Sequence, residues 1–542
     1  MHAVHQEHPQ YDGGTLRIRR RPYTGSDAGT GHPPIGSAVE RAPGAELCEV
    51  NEANEPLLLQ ESIQAEKKGI DTFFTHAPDF GFFLNIPRLR ESLKLPPGNP
   101  ARPLRGLMSI MYLMGLRLSN LSPQTPTEKA QAEALFCRTM DEITNSPITF
   151  AYHPALIVQT IQAELLLSTY LFCHARHLEG QYHLTRAFSL SIGARLNKIR
   201  STRERPSLSI KSHIDNVNFA PQITSSTSPF SLPPTSDPIV EGERINAFWT
   251  AFTLCNFWDA AIETQTSLIS VVGDGNMEVD TPWPMDMNEY EQGGFPEDLH
   301  SSSTVHKFLS RILDDTYAHD FSDVAMFAKA SLLFKRARKI ASHIKQANGI
   351  SDDSVFEAYA VHSSLVSSFR ESLPPISTAT ATHDRPTMVG MNLVTHTLAH
   401  CSAVQLHSIL FDTDPYSANQ SLLAAMSCVQ ILDDPEVDQY LRQPRRLNPF
   451  MGVLWGLVSD AFITCIRRLR TRGDIVSFTA DALGITTQDV QPTVTGTFEK
   501  LMNIMERFST GHLTIRTSLS KTLAAHRMLE GGLNLGMQQH RE

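Results

Sequence analysis

The feature that most constrains this chain is its periodicity. Between interruptions rich in Pro, Gly, Ser and Thr, apolar residues recur at steps of three and four, while alternation of the strand kind is rare and short. Residues at that spacing share one face of a helix, and an apolar face must be buried against a neighbour. The expected class is therefore all-α: a large multi-helix domain of packed antiparallel helices, with a disordered N-terminal tail and long loops. Ile245, Phe248, Trp249, Phe252 and Cys255 form one such stripe on a helix running towards Ile262, read as a core face. Met326, Ala330, Leu333, Ala337, Ile340 and Ile344 form another, opened by Ser322-Asp323 as cap and closed by Asn348-Gly349. The other side of that helix carries Lys335, Arg336, Arg338, Lys339 and Lys345, which read as a solvated face.

The breaks set the organisation. Residues 1–65, rich in Gly, Pro, His and Glu, read as a disordered tail, with the folded body starting near Asp71. The body runs from 70 to 510, with a Ser/Thr/Pro-rich linker loop at 203–240, and residues 511–542 read as a C-terminal helix and tail. Further breaks are Gly273 to Ser303, acidic and Pro/Gly-bearing, and Pro374 to Pro386. Within the first, Glu278 to Asp298 intersperses Trp283, Met285, Met287, Tyr290 and Phe295 among acidic residues, the composition both of an activation segment and of an ordinary exposed loop. No fixed-period repeat is present.

Composition excludes some functions. With 41% hydrophobic and 19% charged residues the bulk of the chain must fold, and a net charge of −10 disfavours phosphate neutralisation along nucleic acid by the body. Arg17 to Arg21 is the one N-terminal basic run, compatible with nuclear import or a basic arm. The N-terminus lacks a secretory apolar run, and the most membrane-like stretch, Phe450 to Ile466, carries Asp460 and reads as a core helix; no membrane association is expected. The seven cysteines, Cys48, Cys137, Cys173, Cys255, Cys401, Cys428 and Cys465, include no Cys-x-x-Cys pair and read as reduced, mostly buried thiols.

Candidate chemistry is sparse. His396 and His400 are one turn apart with His407 two turns on, but no Glu completes a hydrolase helix, and Leu393, Val404 and Phe411 mark the face as a packing stripe. His174, His177 and His183 cluster loosely around Glu179 in a chain with 22 histidines. Nucleophile elbows, phosphate loops and dinucleotide fingerprints are absent, and the pairs Asp314-Asp315 and Asp433-Asp434 diverge on a helix. The chain is therefore expected not to be an enzyme and to carry no cofactor or metal of its own.

One group of motifs goes further. Glu241-Gly242-Glu243-Arg244 leads into Phe248-Trp249, Asp259 follows, and a loop then carries Asp280-Thr281-Pro282-Trp283-Pro284. Collinear with these are Asp71 to His76, Gly81 to Arg88, Ile161 to Leu167, Leu178 to His183 and His396 to Leu410. In this order they resemble the middle homology, or regulatory, region of fungal zinc-cluster transcription factors, in a basidiomycete-type form, over about residues 70 to 510. The resemblance implies a nuclear regulator of RNA polymerase II transcription that responds to a small-molecule effector, forms homodimers and engages transcription machinery or co-regulators. It makes Glu243, Arg244, Phe248, Trp249, Asp259, Pro282, Trp283 and Pro284 signature residues, either structural or effector-facing. Such regulators carry a binuclear zinc cluster on closely spaced cysteines, whereas here only Cys48 precedes residue 100. DNA contact and zinc are then expected only through a missing or separate cluster module. The alternative is a helical scaffold or co-regulator without DNA binding of its own.

Overall fold

Short polar signals fix where the helices begin. Thr125 and Glu128 form a reciprocal capping box ahead of Pro126, Asn85 accepts the Arg88 N–H, and Asp414 and Asp434 each cap a helix whose first residue is proline. The computed structural model describes residues 55–119, 125–145, 154–202, 232–262, 278–311, 322–346, 353–376 and 388–539. In chain order the helices are α1 (Glu55–His76), α2 (Ile86–Leu93), α3 (Arg105–Leu118), α4 (Pro126–Thr144), α5 (Pro154–Cys173) and α6 (His177–Gly193). There follow α7 (Pro238–Ile262), α8 (Met287–Glu291), α9 (Thr304–Leu309), α10 (Asp323–Gln346), α11 (Asp353–Ser372) and α12 (Val389–His407). The last are α13 (Pro415–Gln430), α14 (Pro435–Leu441), α15 (Phe450–Thr471), α16 (Val476–Leu483), α17 (Val490–Ser509) and α18 (Leu513–Gln539). Among the described residues extended pairing is limited to one isolated bridge between Ser201 and Ser301, so the all-α class holds.

Backbone contacts divide the chain into residues 1–59 and 60–542. Of the first unit the described residues are 55–59, the opening turn of α1; the helical body belongs to the second. Helix α1 thus starts inside the segment expected to be tail and well before Asp71. Pro56 in its first turn and the helix formers that follow it outweigh the absence of a sustained apolar period. Arg17 to Arg21, most of the 203–240 linker, and the Asn348-Gly349 stop lie outside the described residues, whereas Pro238, the end of that linker, opens α7.

The main packed pairs are α5 with α6, α7 with α10, α10 with α12, α12 with α13, and α15 with α18. Helix α7 differs from the stripe expected of it: from Arg244 to Ala260 every residue except the partly exposed Thr250 is buried, so side chains are enclosed around the whole circumference. The steps of three and four picked out one side of a helix that is apolar on every side, as core-crossing helices are. Helix α15 and residues 155–173 are long and apolar enough to span a bilayer by length and composition, but most of each is buried inside the protein, and Asp460 lies on the exposed side of α15.

Helices α1 and α3 approach so closely that a Cβ on Gly115 would lie 1.9 Å from the Gly69 carbonyl oxygen. Glycine in a helix interior costs about 1 kcal/mol relative to alanine, and here the close contact is what it permits. Gly115→Ala should therefore destabilise the protein by about 1–3 kcal/mol despite its better helix propensity. Chemical denaturation reads this directly, and an unchanged midpoint would contradict the crossing.

Candidate functional site

The signature residues converge on α7 and the segment that follows it. Glu243 accepts the Asn85 N–H at 2.8 Å, and Arg244 donates to the Pro233 carbonyl at 2.6 Å. Burial pushes the Glu243 carboxyl above its ordinary range, opposed by the Asn85 N–H and the Arg88 cation, and burial lowers the Arg244 guanidinium. The Trp249 indole N–H donates to the Pro282 carbonyl at 2.7 Å, and its ring stacks on Trp283 at 4.4 Å. The Pro284 carbonyl accepts the Ser322 hydroxyl at 2.5 Å, and Ser322 in turn caps α10 by accepting the Ala325 N–H. Phe248 is fully buried and meets Trp249 edge to face. Asp259 takes the Lys335 ammonium at 3.2 Å and the Gln181 amide at 3.2 Å. The basic side of α10 is thus not wholly solvated: Lys335 turns inward because a buried carboxylate on α7 needs a cation.

Residues 278–303 form a strap over this node. Asp280 holds it, with the Lys198 ammonium at 3.0 Å, the Ser201 hydroxyl at 2.6 Å and the Ser303 N–H at 2.9 Å. Burial works to raise the Asp280 carboxyl, but these donors outweigh it and leave it below its ordinary range. Asn197 accepts the N–H groups of Asp280 and Thr281, and the Val279 carbonyl accepts the Thr304 N–H at 2.7 Å. Trp283, Met285, Tyr290 and Phe295 are buried, while Gly242 leaves room for the Tyr290 ring, which a Cβ would meet at 2.4 Å. The acidic segment is therefore a packed strap rather than an exposed loop, since its apolar side chains have α7 to bury against. Residues 263–277 lie outside the described residues.

The histidine groups do not converge. His174 Nδ1 meets the Tyr170 carbonyl at 2.7 Å, and His177 lies against Phe172 and Trp258. His183 Nδ1 is 2.6 Å from Glu164, which is fully buried and also lies 3.1 Å from Arg186. On α12, His396 Nε2 contacts the Pro374 carbonyl at 3.0 Å, His400 Nδ1 is buried without a hydrogen-bond partner, and His407 Nδ1 meets the Tyr359 hydroxyl at 3.2 Å. No group of three or more His, Cys, Asp or Glu side chains is placed to hold a metal ion among the described residues. Cys137 is exposed, and the other described thiols are buried and unbridged, with the Cys401 thiol donating to the Leu454 carbonyl at 3.8 Å.

A cavity of about 450 Å³ opens between α11, α12 and α13, away from the signature node, and none of the signature residues lines it. Tyr359, Arg370, His407 and Asp414 are among its polar walls. Sequence reasoning pointed to His407 for a different reason and missed Tyr359 and Arg370; their convergence depends on how α11 packs, which no linear spacing encodes. The same holds for Asn197, Lys198 and Lys335 at the node.

Fold and sites together define an all-α protein with a strapped central helix and a separate side cavity. Compared with family models, curated proteins and solved structures, the chain matches none.

Loss of the strap anchor is testable. Asp280→Ala removes the buried acceptor of Ser201, Ser303 and Lys198, leaving Lys198 only the half-exposed Glu278 at 3.6 Å, and should cost about 3 kcal/mol. It should also open 278–303 to limited proteolysis ahead of the rest of the body. Equal cleavage of the variant and the native protein would contradict Asp280 as the anchor.

Proposed function

We propose that this chain is the helical regulatory domain of a transcription regulator, of the kind found in the middle region of fungal zinc-cluster factors, working in the nucleus on RNA polymerase II transcription. The observation that supports this reading most is the meeting of separated signature residues: Trp249 of α7 bonds to Pro282 and stacks on Trp283 of the strap, while Glu243, Arg244 and Asp259 along the same helix are each held by a polar partner. In this reading the body acts without catalysis. Its strap carries acidic and aromatic residues together, packed into the body when no effector is bound, and an effector that displaced it would present them to transcription machinery or a co-regulator. DNA contact is left to a zinc-cluster module elsewhere, and the body serves as a homodimer. An effector could bias strap release only by binding one arrangement more tightly than the other.

Tethering the chain to a heterologous DNA-binding domain in yeast tests the reading. Reporter transcription should change several-fold relative to the DNA-binding domain alone, and a fluorescently tagged chain should accumulate in the nucleus. An unchanged reporter together with nuclear exclusion would replace this reading with a helical scaffold.

A further inference from the structure

The side cavity carries a partly buried cation that no carboxylate pairs with among the described residues. Its size falls within the range of small-molecule sites, roughly 300–1,000 Å³. Helices α11 and α12 run antiparallel along it, since Tyr359 meets His407 near one end and Pro374 meets His396 beyond the other. Arg370, in the last turn of α11, lines the cavity, and its Nε–H is buried without a hydrogen-bond partner. Among the described residues no carboxylate pairs with its guanidinium. The adjacent Glu371 accepts the Ser367 hydroxyl at 3.3 Å instead. The groups that face Arg370 from α12 and α13 are His400, His407 and Cys428; burial holds His400 down to about 3 and His407 down to about 4, and the Arg370 charge reinforces both. A buried donor left unmade normally has a reason, and a buried cation is stabilised most by an anion.

The opposite end differs. Asp414 lies near Tyr359 and caps α13 through the Tyr416 and Ser417 N–H groups. Phe356 and Tyr416, 54% and 57% exposed, stand among the lining residues there as uncovered aromatic rings. Val366 and Leu406 provide apolar wall between the ends.

We propose that this cavity binds a small organic monocarboxylate, its carboxylate on Arg370 and its apolar body extending past Val366 and Leu406 towards the Phe356 and Tyr416 rings. Asp414 repels a second carboxylate at that end, which selects a monoanion over a dicarboxylate. The inference rests on the cavity alone and stands whether or not the chain acts in transcription.

Phenylacetate and its neutral counterpart phenylacetamide, titrated into the full chain with ligand-observed NMR and thermal shift as readouts, test it. The acid should bind the native protein at millimolar concentration or better, and roughly 10-fold or more tightly than the amide, as a charge-assisted pair requires. Arg370→Gln should abolish that preference without lowering the melting temperature of the unliganded protein, because it removes a half-buried cation that no carboxylate pairs with. Ala360→Trp, which leaves Arg370 in place and fills the cavity from its α11 wall, should abolish binding of both probes and decides the matter if the Arg370 variant does not fold. Equal affinity for acid and amide, unaltered acid binding by Arg370→Gln or by Ala360→Trp, or no binding of phenylacetate to the native chain would each overturn the proposal.

Discussion

A helix with no solvent face has to be enclosed, and α7 is such a helix. Its backbone hydrogen bonds are satisfied internally, so what remains to be met is a full ring of large side chains and a few polar groups. Phe172 of α5 stacks on Trp258 at 3.6 Å, Phe450 of α15 stacks on Phe257 at 3.5 Å, and Phe334 of α10 lies against the same Phe257 at 5.9 Å. The fourth side is closed by Trp283 of the strap on Trp249. Each fully buried aromatic contributes about 2–3 kcal/mol relative to exposure. Removing any one wall would uncover several of them at once.

The polar groups on α7 then dictate the connections between those walls. Asp259 cannot sit in the core uncompensated, which draws Lys335 inward from α10. The Trp249 N–H needs an acceptor, which fixes the Pro282 carbonyl and hence the path of the strap. Lys329 of α10 adds a cation 4.9 Å from the Trp283 ring. Hydrophobic enclosure supplies the larger stabilisation, and these few directional contacts choose one arrangement of the walls over others.

Class and helix positions were legible because periodicity and caps are local properties. The α10 start at Ser322 and the apolar row from Met326 to Ile344 can be read without tertiary knowledge. Three things could not be read so. The full burial of α7 looks like a stripe until its neighbours are known. The strap looks like an acidic loop because its charges are written in the sequence while the helix that receives its rings is not. The cavity depends on Arg370 and His407, far apart in sequence, meeting across antiparallel α11 and α12. The signature residues were found by their resemblance, yet nothing along the chain signals that Asn85 and Lys335 hold two of them, or that Lys198 holds the neighbouring Asp280.

The central claim is that α7 and the 278–303 strap form one cooperative unit, and native-state hydrogen exchange resolved by peptide tests it most directly. The account predicts that α7 amides exchange only through global unfolding, and that hydrogen-bonded strap amides such as those of Asp280, Thr281 and Ser301 share that protection. Fast exchange across the strap while α7 stays protected would show that the strap is not part of the core, and would contradict the account.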